Sequence, residues 1–159
     1  MAVASRLRRW RQVGVLAGVL FALNAVARLI VWLFASKNDH AQTVIGLIYA
    51  ISVGLVVIYA GWYWAQRRLM PRVVGELTVA VLLGLLISLI LGPFAGGSAP
   101  FVEGGDLIYA EAWHYLLFAG VGAALGVLLA MMLGRDPKSR AYQRYAEANK
   151  GRPRRVVRR

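Results

Sequence analysis

Four long apolar runs, separated by short polar or glycine-rich connections, organise the chain. They fall at about 13–34, 43–64, 73–91 and 107–133. Each supplies the ~20 residues that an α-helix rising 1.5 Å per residue needs to cross ~30 Å of hydrocarbon. The connections are SKNDHAQT, then QRRLMPR, then GPFAGGSAPFVEGGD. The pattern predicts an all-α integral membrane protein, a four-transmembrane-helix bundle. It divides into a basic N-terminus (1–12), a transmembrane domain (13–133) and a basic tail (134–159). SRLRRWRQ ahead of the first run suits the n-region of a signal peptide, but the run that follows is longer than a 7–15-residue h-region, so a retained span is expected.

Composition supports a bilayer over a soluble core. The chain has 159 residues, 59% of them hydrophobic, and a mean hydropathy of +0.58. A soluble domain is about half apolar, and a chain this short encloses too little volume to hide the excess. Without cysteine, disulfide and thiolate chemistry are excluded.

Charge then orients the spans. Seventeen of the 19 basic residues lie before the first span, between the second and third, or after the fourth; Lys37 stands in the other connections and Arg28 inside a span. This asymmetry predicts that both termini are cytoplasmic, in a cell (inner or plasma) membrane. Trp10, Trp62, Tyr63 and Trp64 then mark one interface, and Trp32, Tyr109 and Trp113 the other. A net charge of +12 would suggest nucleic acid in a soluble protein. Here retention during insertion and attraction to anionic headgroups account for it, and no nucleic acid is expected. In the tail, Asp136-Pro137 reads as a helix start and Gly151 with Pro153 as a stop, giving a short surface helix before a disordered basic end.

Polar residues inside the spans are the candidate chemistry. Gly14, Ala17, Phe21, Asn24 and Arg28 recur at helical spacing on the first span, and Glu111, His114, Phe118, Gly122 and Gly126 on the fourth. Antiparallel packing of these two helices through Gly14, Gly18, Gly122 and Gly126 would bring an intramembrane cluster together: Asn24, Arg28, Glu111 and His114. An unpaired arginine at mid-depth costs ~2.5–3.5 kcal/mol on insertion scales, so pairing of Arg28 with Glu111 is the natural remedy. Outward snorkelling is one rival, since Arg28 lies only ~9 Å below the end of its span, and contact with another subunit is the other. His114 beside a carboxylate could titrate near neutral pH; an interfacial histidine facing headgroups is the plainer reading. Gly84, Ser88 and Gly92 form a further small-residue stripe for helix packing. Glu76, behind Pro71, suits the positive end of a helix. The glycine-rich loop lacks the GK[ST] ending of a phosphate-binding loop and reads as a re-entrant or surface loop with Glu103 and Asp106 solvated. His40 and His114 stand apart, so no metal site and no cofactor are expected.

Four short spans with a buried charge resemble the small multidrug-resistance transporters in outline. Those carry an essential carboxylate in the first span, where this chain has Arg28, and outline alone transfers no function. Four-span quinone-linked disulfide enzymes need the cysteines that are absent here. Three functions remain open at this stage. The first is a non-catalytic accessory or assembly subunit packing against a larger membrane partner. The second is a small oligomeric transporter or channel using the Arg/Glu/His cluster, which self-association would complete. The third, less favoured, is an enzyme acting on lipid-linked substrate, for which the carboxylates are too few.

Overall fold

The computed structural model describes residues 2–35, 37–97 and 105–150. Expectations for loop 98–104 with Glu103, for the side chain of Asp106, for the side chains of the first nine residues and for the tail end 151–159 lie outside the described residues. Five α-helices follow one another: α1 Ala2–Ile30, α2 Asp39–Ala65, α3 Met70–Ala95, α4 Gly105–Met132 and α5 Pro137–Lys150. The described residues contain no strand. Four helices are long and apolar enough to cross a membrane. α1 begins before its apolar run, and α2 and α3 run past both ends of theirs, because a backbone hydrogen-bond ladder can continue into polar flanks once nucleated.

Local chemistry explains the ends. Asn38 caps α2, its Oδ1 accepting the Ala41 N–H at 3.1 Å, which satisfies a donor that a helix start leaves orphaned. α3 starts behind an extended Leu69 with Pro71 in its first turn, where a missing N–H costs nothing. α4 stops in a Schellman motif. Gly134 adopts φ +61, its N–H meets Met131 O at 2.9 Å, and the Arg135 N–H reaches back to Ala130 O at 3.0 Å. The chain is thereby turned into α5, whose first turn is capped by Asp136 Oδ2 accepting from the Lys138 and Ser139 N–H groups, both at 3.2 Å. The helix start expected at Asp136-Pro137 matches α5, whereas the expected stop at Gly151 and Pro153 lies outside the described residues.

The helices pair as α2 with α4 and α1 with α3, with slighter contact between the two pairs. Glycines set the first pairing. A Cβ on Gly126 would fall 2.3 Å from Ile58 O, and one on Gly122 2.6 Å from Gly54 O. Backbones that approach this closely gain dispersion contacts that any side chain would hold apart. The expected packing of α1 on α4 through glycines is therefore corrected: Gly122 and Gly126 serve α2. Gly14 and Gly18 are exposed, with nothing near the positions where their Cβ atoms would stand. Instead α1 turns Val13, Leu16, Ala17, Leu20 and Asn24 inward, since large side chains gain from burial in a packed interior and glycine has none to bury. Gly84 on α3 accommodates them, lying against Leu20 and the Tyr115 hydroxyl. Leu20, Val53, Val57, Val73 and Tyr115 fill the centre, where the Tyr115 hydroxyl donates to Val81 O at 3.1 Å.

Candidate functional site

The polar residues of α1 and α4 meet across the bundle although their helices are not the closely packed pairs. Arg28 reaches Glu111, with its terminal nitrogen 2.5 Å from Oε2. Asn24 donates from Nδ2 to the other carboxylate oxygen, Oε1, at 2.8 Å. Both carboxylate oxygens are thus engaged by donors from one helix, one turn apart, as the i, i+4 spacing of Asn24 and Arg28 allows. Asn24 is buried, while the Arg28 and Glu111 side chains keep 19% and 25% of their exposure.

α3 supplies the floor. Gly92, read from the sequence as part of a packing stripe, lies under the cluster: a Cβ there would come 2.5 Å from Asn24 Oδ1 and 3.1 Å from Arg28 Nε. Ser88, one turn before it, is buried. Tyr49 of α2 places its hydroxyl beside Asn24 and Ser88 and within the field of the Arg28–Glu111 pair. Tyr49 Oη, Ser88 Oγ and Asn24 Oδ1 are all buried, and the tyrosine hydroxyl lies close enough to engage either neighbour. Three such oxygens around one ion pair make a polar niche in an otherwise apolar interior. One turn beyond Arg28, α1 widens into a π-helical segment, Val31–Ala35, a geometry that recurs at functional positions.

His114 does not join the cluster. It is exposed, with Nδ1 2.7 Å from Ala110 O on its own helix. Tyr115 occupies the interior in its place. The i+3 and i+4 neighbours of Glu111 straddle one stripe, and the tyrosine wins because it brings a large ring to the core and finds Val81 O for its hydroxyl. The inward face of α4 therefore runs Glu111, Tyr115, Ala119, Gly122, Gly126.

A second constellation, at the basic end of the bundle, went unread in the sequence. Arg68 pairs with Glu76 across the α2–α3 turn and donates to Gln12 on α1, while its guanidinium lies 5.0 Å from the Trp64 ring. Glu76 is not in the first turn of α3, so it acts as an ion-pair partner and not as the expected helix-end charge. Close charge pairs across a turn leave no periodic signal, which is why spacing alone missed this one. Among the described residues no three His, Cys, Asp or Glu side chains gather as metal ligands would. No family model, curated protein or solved structure matches the chain.

Proposed function

We propose that this chain is a non-catalytic accessory subunit of a cell membrane, with both termini cytoplasmic, that packs against a larger membrane protein. One observation carries the reading: the polar cluster is a brace with a closed floor. Beyond Asn24 the interior continues as Leu20, Ala17, Leu16, Val53 and Val57, an apolar plug through which an ion would travel unsolvated. Arg28, Glu111 and Asn24 tie α1 to α4 and so join the two helix pairs into one body. A rigid body with wide apolar flanks (Leu47, Leu55, Leu86 and Leu117 are all exposed) suits lateral association. The charge asymmetry of the flanks supports the orientation.

Isolation of the protein from its native membranes in mild detergent tests the proposal. A larger membrane protein should accompany it in stoichiometric amount and should fall in abundance when this chain is deleted. Recovery of this chain alone, with no protein depleted by its loss, would refute it. The buried oxygens of Tyr49, Ser88 and Asn24 beside the ion pair favour one second reading, an oligomeric transporter that uses the niche. That reading requires pH-dependent flux into liposomes which Arg28→Ala abolishes.

A further inference from the structure

A groove of about 750 Å³ opens between α1 and α2 at the basic end of the bundle. Its walls are Val15 and Val19 from one helix and Leu55, Val56 and Tyr59 from the other; Arg11 and Gln12 stand at its mouth. Leu16, Ala60 and Trp64 are buried and form its floor, whereas Val15 and Leu55 are 60% and 61% exposed along its rims.

Depth and charge decide what it holds. From Arg11 to Val19, and from Tyr63 back to Leu55, the groove covers eight helical steps, or ~12 Å. That approaches the ~15 Å thickness of one hydrocarbon leaflet. It ends where Leu20 and Val53 are completely buried. A transmembrane helix docking here would find a seat for only half its length, while an acyl chain entering from one surface fits the whole of it. The mouth is cationic. Arg68 is neutralised by Glu76, but Arg11 and Arg67 form no ion pair among the described residues, and Arg67 lies 4.2 Å over the Tyr63 ring that lines the groove. A phosphate at that level would meet uncompensated positive charge.

We propose that this groove is a binding site for one anionic phospholipid, with an acyl chain along Leu16 and Val56 and its phosphate at Arg11. The site stands apart from the Arg28–Glu111 cluster and does not depend on any protein partner.

The full chain, purified in mild detergent and exchanged into micelles containing phosphatidylglycerol or phosphatidylcholine, tests this by native mass spectrometry. The wild-type protein should retain one phosphatidylglycerol in preference to phosphatidylcholine. Arg11→Gln should weaken retention about fivefold, the factor one surface cation supplies. Arg72→Gln, at an exposed arginine of the same end outside the groove, should leave it unchanged. Val15→Trp fills the groove from its exposed rim and should abolish retention; Leu55→Trp does so from the opposite wall and serves if the first variant fails to accumulate. Equal retention of the two lipids, retention unchanged by Arg11→Gln, a lipid that survives the filled groove, or a segment of another polypeptide found there would each overturn the proposal.

Discussion

Removal of Arg28 and Glu111 together should cost less than the sum of their separate losses. Arg28→Met leaves a carboxylate whose other oxygen is held by the Asn24 amide, and Glu111→Leu takes the carboxylate from the Arg28 guanidinium. Breaking a buried ion pair from one side costs about 3–5 kcal/mol. Because each side chain retains a fifth to a quarter of its exposure, each single variant belongs at the lower limit, about 3 kcal/mol. The double variant leaves no charge behind, only the Asn24 amide short of an acceptor, and should lose about 1–3 kcal/mol. The coupling energy is then about 3–5 kcal/mol, at or above the upper end for residues in contact. Unfolding in mixed micelles by titration with a denaturing detergent, followed by tryptophan fluorescence, measures all four corners of the cycle. The exchanged pair, Arg28→Glu with Glu111→Arg, should regain part of what each single exchange loses. A coupling below about 0.5 kcal/mol, the error of additivity for independent sites, would refute the brace and with it the rigid-body argument for an accessory role.

Three further outcomes follow from the packing. Gly126→Ala should be strongly destabilising in the same titration, since its Cβ would meet Ile58 backbone at 2.3 Å, whereas Gly18→Leu, at an open position, should shift the isolated bundle by no more than about 0.5 kcal/mol. His114→Ala should likewise stay within about 0.5 kcal/mol, because the ring is exposed and its hydrogen bond is to its own helix; a large loss would return His114 to the cluster. The α5 cap should be acid-sensitive. The Ser139 hydroxyl and the Lys138 and Ser139 N–H groups hold the Asp136 carboxylate below its ordinary value of 3.8. A depressed folded-state value means that the cap contributes fully above about 3.8 and is lost as pH falls through the lower folded value. Hydrogen exchange, corrected for intrinsic rates, should show protection in the first turn of α5 falling over that acidic range, and Asp136→Ala should remove both the protection and its pH dependence.

Hydropathy and charge alone determined much of this molecule. Length and apolar periodicity fix four helices, because a backbone in hydrocarbon must satisfy its hydrogen bonds internally whatever surrounds it. Asn24 and Arg28 were legible as partners in one site because a single helix turn places them together irrespective of tertiary contacts. Asp136-Pro137 announced α5 for the same local reason. Which helices touch was not legible. Every span carries a small-residue stripe, and such stripes are interchangeable until the backbones meet; Gly54 and Gly61 on α2 then seat α4, which leaves Gly14 and Gly18 outside. His114 and Tyr115 flank the same stripe as Glu111, and the core that takes the tyrosine ring, with Val81 O on α3 as acceptor, decided between them. The niche of Tyr49, Ser88 and Gly92 draws on two helices remote in sequence from both Arg28 and Glu111. Local periodicity specifies which face of a helix can hold a charge; the three-dimensional packing of the other helices specifies what that charge finds.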